Sequence, residues 1–260
     1  MANAQGYCKT EKNSYVMIDI PGTYSLMAHS AEEEVARDFI CFEEPDAVIV
    51  VCDACCLERN LNLVLQTMEI TDRVVVCINL MDEAGKKGIS IDVRAISDKL
   101  GVPVVAAAAR SGEGLAELMN AVDAVADGRW DQKPVKPSYD SCLEEALKNL
   151  KPVVDQKVSG RFPGRWSALM LLESDPFLLL EIEQRLGTEL REDPDMKQAV
   201  KKAEQILSED GTEDLEDRIV SGLVKTAQDI CADTVLFGTK DYIKSCLLYT
   251  SDAADELDGV

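Results

Sequence analysis

Two uninterrupted apolar runs constrain this chain more than any other feature: AVIVVC at residues 47–52 and RVVVCIN at 73–79. A strand with one wet face alternates apolar and polar residues. A run without alternation is a strand covered on both faces, as parallel strands are. Residues 57–70, between the two runs, follow the spacing of an amphipathic helix. The same alternation extends in both directions. A strand is expected at 15–20 and a helix at 32–42, with Val35, Phe39 and Phe42 on one face. Beyond the second run come a helix at 93–100, a shorter strand at 103–107 and a helix at 114–125. Strand and helix in turn imply a parallel-rich α/β sheet with helices on both faces.

The pattern breaks at Asp127-Gly128. The stretch that follows, GRWDQKPVKP at 128–137, has the composition of a linker. Past it the periodicity is helical at 141–153, 167–172, 177–186, 195–208 and 215–231. The division expected is an α/β domain over 1–127, a linker over 128–137 and a small all-α domain over 138–244. Apolar residues make up 46% of the 260, which supplies a core and excludes global disorder. The formal net charge of −21 repels phosphate backbones, so nucleic acid is not an expected partner. Nine cysteines without regular spacing read as reduced thiols. The C-x-x-C at Cys52 and Cys55, with Cys56 beside it, lacks a second cluster or paired histidines and reads as structural rather than metal-binding.

In an open parallel sheet, ligands bind beyond the carboxyl ends of the strands. Three strand ends carry residues suited to that position. The first ends in Asp19-Ile20-Pro21-Gly22, where the carboxylate can hold Mg2+ through water and the glycine lets a backbone N–H approach a phosphate. The second ends at Asp53. The third ends in Asn79-Leu80-Met81-Asp82. A carboxylate can accept from both the N1–H and the exocyclic amine of guanine, and adenine offers no such pair. Each motif alone also fits a strand followed by a turn. Their order along successive strands favours a guanine-nucleotide domain of the P-loop type.

The segments SYVMIDIPGTYSL, EEEVARDFI, DACCLERNLNLVLQTMEI, INLMDEAGKKGI and ARSGEGL resemble the cytosolic G domain of the bacterial ferrous iron transporter family FeoB. RWSALMLLESD and IVSGLVKTAQDICADTVLF resemble that family's helical domain, and the likeness spans about residues 2–244. The resemblance implies a GTP/GDP-binding part that regulates iron passage, on the cytoplasmic side of a cell membrane. It also implies a permease domain as partner in the parent protein, and a homo-oligomer is a further expectation. Asp19 and Gly22 would serve Mg2+ and the γ-phosphate. Asn79 and Asp82 would read guanine. Ala108 and Ala109 would fall on the loop where the family often has serine-alanine, with the Ala109 N–H on the guanine oxygen and the missing hydroxyl at 108 loosening the loop. The helical domain would tune nucleotide release.

A P-loop GTPase also needs G-x-x-x-x-G-K-[ST] and a switch threonine ahead of DIPG, and neither is in the sequence. The expectation is a chain truncated at both ends, beginning inside the G domain and weak in nucleotide binding by itself. CLLYTSDAADE, at 246–256, reads as the translation of a sequencing adapter. Alternatives are a nucleotide-free, non-enzymatic remnant and a soluble GTPase of related fold, which the acidic charge opposes. Thr23 stands where Ras-like enzymes place a water-orienting glutamine, so hydrolysis is expected to be slow. His29 reads as a solvated loop side chain, Asp53 as a loop carboxylate and Arg59 as a member of a surface ion pair.

Overall fold

The computed structural model describes residues 4–27, 30–158, 160–209 and 214–238. Its first half contains the hairpin β1 (Ala4–Lys9) and β2 (Ser14–Asp19), α1 (Ala31–Phe42), β3 (Val48–Asp53), a 3-10 turn (Ala54–Cys56) and α2 (Leu57–Ile70). There follow β4 (Val74–Asn79), α3 (Met81–Lys86), β5 (Ile89–Ile91), α4 (Val93–Leu100), β6 (Val104–Ala106) and α5 (Leu115–Ala126).

The three strands β3, β4 and β6 form a parallel sheet with β4 at its centre. Side chains along β4 alternate between two cores. Val74, Val76 and Ile78 join the large core, which includes α2 and α4, while Val75 and Cys77 meet Leu118 and Val122 of α5. Both faces are therefore dry, which is why RVVVCIN shows no polar alternation. Each fully buried valine or isoleucine contributes about 1.5–3 kcal/mol of transfer free energy before chain entropy is charged against it.

The strand expected at 15–20 is β2, but it does not enter this sheet. Its partner is β1, paired antiparallel from Ala4↔Asp19 to Lys9↔Ser14, and the two form a separate two-stranded sheet. The hairpin is held by polar contacts instead. Asp123 Oδ1, on α5, accepts from Tyr15 Oη at 2.5 Å, Asn13 Nδ2 at 2.9 Å and Thr10 Oγ1 at 3.1 Å. Burial and the adjacent Asp123 carboxylate push the Tyr15 hydroxyl up to about 12. β3 is left as a sheet edge, and its Val51, on the α5 face, is 60% exposed.

The second half is helical: α6 (Ser141–Val158), α7 (Gly164–Glu173), α8 (Pro176–Leu186), α9 (Pro194–Glu209) and α10 (Leu215–Thr234). α6 contains Pro152, as expected, and runs five residues past its expected end. The proline removes one backbone donor, but Leu150, Val154 and Val158 continue a buried stripe that outweighs that loss. Asp140 caps α6 by accepting from the Cys142 and Leu143 N–H groups, and Arg218 of α10 donates to the same oxygen at 3.0 Å. Gly222 lets α10 close onto residue 139, because a Cβ there would lie 2.5 Å from the Tyr139 ring.

α10 also packs against α2 and α4 and ends in β7 (Val235–Phe237), which pairs antiparallel with β5. These two three-residue strands were not expected; three residues are too few to show a period. Residues 128–137 are irregular but pinned. Trp130 Nε1 donates to Gly101 O at 3.0 Å, and the Val135 N–H donates to Leu100 O at 2.8 Å. Among the described residues no helix is long and apolar enough to cross a membrane. His29 and the 246–256 stretch lie outside the described residues.

Candidate nucleotide site

At the end of β4, Leu80 adopts a left-handed backbone (φ 63°), a conformation that costs a branched residue about 1 kcal/mol. That turn starts α3 at once and puts Asp82 in its first turn. The Asp82 side chain is 49% exposed, and its carboxylate lies 3.6 Å from Lys86 Nζ, one helical turn on. The Glu83 carboxylate, then that of Asp82, raises the Lys86 pKa.

The loop after β6 closes against the same strand end. The Met81 N–H donates to Ala107 O at 3.2 Å, and the Ala107 N–H donates to Ile78 O at 2.8 Å. Asn79 Oδ1 accepts the Ala109 N–H at 3.0 Å. The Ala109 donor expected to face a guanine oxygen is thus turned onto Asn79. Ala108, where a missing hydroxyl was expected to loosen the loop, has both backbone groups bonded. The Ala108 N–H donates to Glu113 O at 3.1 Å, and Ser111 Oγ donates to Ala108 O at 2.9 Å. A hydroxyl three residues downstream thus bonds the loop at this position. Gly114 completes it with φ +80°, where a Cβ would overlap the Ala106 carbonyl oxygen.

Asp19 ends the hairpin strand β2, and Gly22 lies in the segment that follows it. Asp19 is exposed at the end of β2. A Cβ at Gly22 would meet nothing within 4 Å, so the fold itself does not require glycine there, and the backbone is open to a ligand. The carboxylate is a hard oxygen donor of the kind Mg2+ takes, with waters completing the shell. Thr23 Oγ1 donates to Ser25 O at 2.5 Å, so its hydroxyl is turned onto its own chain.

Sequence reasoning missed what holds this segment. Gln66 Oε1 accepts the Leu26 N–H and, at 3.2 Å, the Ser25 hydroxyl. Arg59 stacks over the Tyr24 ring at 4.6 Å, and the ion pair expected of it is not found among the described residues. Arg59, Asn62 and Gln66 lie at i, i+3 and i+7 on α2, a polar stripe at helical spacing that could have marked this face. Asp53 serves its own turn, accepting the Cys55 N–H at 2.7 Å. Cys52 and Cys55 are buried and Cys56 is exposed. No group of three or more His, Cys, Asp or Glu able to hold a metal occurs among the described residues.

The parallel sheet with this loop pair at its carboxyl end and the helical half that follows it resemble known proteins. A sequence model described as ferrous iron transport protein B matches residues 1–122, and one described as the FeoB cytosolic helical domain matches residues 139–236. The chain belongs to the FeoB family. It is 40% identical over 163 residues to the Fe(2+) transport protein A/Fe(2+) transporter FeoB fusion protein of Porphyromonas gingivalis, covering 61% of this chain and 19% of that one. It is 29% identical over 183 residues to the Fe(2+) transporter FeoB of Staphylococcus aureus (strain MSSA476), covering 70% of this chain and 27% of that one. The chain thus spans about a quarter or less of these relatives. Among solved structures, a mutant of the S. thermophilus FeoB protein bound to GDP matches with a TM-score of 0.70 at 26% identity. That match covers 89% of this chain and 86% of the other.

Proposed function

We propose that this chain is the guanine-nucleotide-binding regulatory part of a bacterial ferrous iron transporter, in which GTP binding and slow hydrolysis control Fe2+ uptake from the cytoplasmic side of the membrane. The observation that carries this reading is the hydrogen bond from the Ala109 N–H to Asn79 Oδ1, which locks the β4 end and the β6 loop together beside the half-exposed Asp82 carboxylate. The names of the Fe(2+) transporter relatives and the GDP-bound structure support it.

In this reading Asp82 accepts from the guanine N1–H and exocyclic amine. Asn79 keeps its amide Nδ2 for the base while its oxygen holds the loop. Ala108 and Ala109 shape the wall. Asp19 holds Mg2+ through water, and the ion neutralises phosphate charge. The Gly22 backbone approaches the γ-phosphate. Residues 1–127 form the nucleotide-binding unit, 138–244 the helical unit that regulates release, and 128–137 their connection. A permease domain completes the parent transporter.

The test is amide NMR of the 15N-labelled chain with millimolar GDP or ADP. GDP should shift resonances of residues 79–83 and 107–112, ADP should not, and Asp82→Ala should remove the difference. Equal shifts with ADP, or shifts retained in Asp82→Ala, overturn the base-reading role.

A further inference from the structure

β3 lies at the edge of its sheet, yet it is built like an interior strand. It pairs with β4 in parallel register from Val48↔Val74 to Asp53↔Asn79, and the Val48 N–H donates to Arg73 O at 2.8 Å. That register turns the backbone groups of Val48, Val50 and Cys52 toward β4 and those of Ile49, Val51 and Asp53 away from it. The Asp53 N–H is taken by Asn60 Oδ1 at 2.7 Å. The N–H and C=O groups of Ile49 and Val51 have no partner among the described residues. Edge strands are ordinarily blunted by a lysine, a proline or a bulge. The run VIVVCD carries none of these.

The side chains agree with the backbone. Val51 is 60% exposed, while Cys77, its register partner on the same face, is 4% exposed. Val75, Cys77, Leu118 and Val122 form an apolar floor on the α5 side, and both Ile49 of β3 and Tyr15 of β2 pack against it. The hairpin and the sheet therefore share a floor but no ladder. Unpaired ladder groups beside an exposed valine call for the backbone of an added strand, which supplies donors and acceptors in step and apolar side chains for the floor.

We propose that the open edge of β3 binds one extended apolar segment of another protein chain, about six residues long and flanked by basic residues, as an added strand. The length is that of β3. The basic flanks follow from charge. Exposed Glu43, Glu44 and Asp46 precede β3 and Asp53 ends it, with Arg73, 3.8 Å from Asp46, as a cation nearby. A second copy of this chain suits the edge less well, because each copy carries a formal charge of −21. Ile49 and Val51 take no part in base or phosphate binding, so this pairing stands or falls apart from the nucleotide reading.

The probe is the peptide KKVVVSINKK, the β4 run with serine for its cysteine and lysine flanks, titrated against the 15N-labelled full chain. Binding should be saturable. Exchange of the Ile49 and Val51 amides with deuterium should slow about tenfold or more at saturation, the factor expected of one ladder hydrogen bond. KKVVPSINKK, which lacks a ladder donor at its centre, should bind about tenfold more weakly, and EEVVVSINEE should also bind more weakly than the lysine-flanked form. Val51→Lys places a charge on the edge at an exposed position whose backbone groups β4 does not use. It should leave the Tm unchanged and weaken binding about tenfold. Unchanged exchange at Ile49 and Val51, protection of Ala4–Lys9 on β1 in their place, or equal affinity for the proline peptide would each overturn the proposal. Protection that grows with chain concentration in the absence of peptide, with a dimer in sedimentation, would give the edge to a second copy and overturn it as well.

Discussion

Asn79 Oδ1 accepts the backbone N–H of Ala109 at 3.0 Å, across thirty residues of sequence. The bond joins the end of the central strand to a loop that, among the described residues, has no side-chain hydrogen bond of its own to that strand. It orients the Asn79 amide so that Nδ2 remains available as a donor. One side chain thus assembles the loop pair and, in the proposed function, would present part of its binding edge.

Replacing Asn79 with alanine should therefore release the loop before it harms the fold. The Ala109 amide, protected by that bond, should exchange with deuterium faster, and global stability should fall by about 1 kcal/mol. Asn79→Asp keeps an acceptor and should retain the protection. Unchanged exchange at Ala109 in Asn79→Ala would show that the bond does not hold the loop.

A second expectation concerns pH. Burial raises the Glu173 carboxyl from its ordinary 4.5 to about 7; the Arg37 guanidinium opposes the shift, while Glu216 and then Asp175 add to it. The folded state then binds a proton that the unfolded state has released. The associated stability is fully present below about pH 4.5, is lost as pH rises through about 7, and is flat above that. Glu173→Gln should be more stable than the parent at about pH 8 and similar to it at about pH 4.5. The difference should be at most on the order of 3 kcal/mol, reduced by whatever solvent reaches the group. Urea melts of both proteins at the two pH values measure it. Parallel pH dependences would remove Glu173 as the cause.

Much of this architecture was legible because burial writes periodicity into sequence. Val74–Asn79 is covered on both faces and reads as an apolar run. Leu57–Ile70 and Val93–Leu100 carry a single buried stripe, and their expected ends agree with those observed. Asn79 and Asp82 were legible as candidates because guanine demands a carboxylate and a strand end can present one. What stayed hidden was tertiary or too short to have a period. The β5–β7 pair is three residues long. α6 runs on past Val153 to Val158, where its buried stripe continues against the helical half. Gln66 and Asp123 look like surface polar residues on amphipathic helices. Their partners lie 40 and 108 residues away, beyond any local signal.

Asp123 yields a third prediction. Three donors from the β1–β2 hairpin converge on one of its oxygens, and they hold its carboxyl below the usual aspartate range, the Tyr15 hydroxyl first among them. Asp123→Ala should detach the hairpin from α5 while leaving the β3–β4–β6 sheet folded. Limited proteolysis should then cut within residues 4–19 several-fold faster, with little change in the far-UV circular dichroism. Tyr15→Phe, which removes one donor of three, should fall between. Cleavage at the parental rate in Asp123→Ala would place the hairpin's anchor elsewhere.

The last prediction is that the chain binds GTP only weakly and does not hydrolyse it measurably. The residues that fit a nucleotide divide unequally between its two ends. At the base, Asp82 and Asn79 offer a few hydrogen bonds, each worth about 1–3 kcal/mol when charge-assisted. At the phosphates, the 260 residues contain no G-x-x-x-x-G-K-[ST] segment. They therefore lack its nest of backbone N–H groups, its lysine on the β- and γ-phosphates and its hydroxyl on Mg2+. Asp19 and the open backbone at Gly22 are too few to replace them, and the formal charge of −21 repels a polyanion. Thr23, where a water-orienting glutamine would stand, donates its hydroxyl to Ser25 O. Ordering the ligand offsets much of the base contribution. The dissociation constant should therefore be about a millimolar or weaker. A fluorescent-GTP titration with and without Mg2+ measures it. Micromolar, Mg2+-dependent binding would mean that phosphate contacts come from residues not assigned to the site.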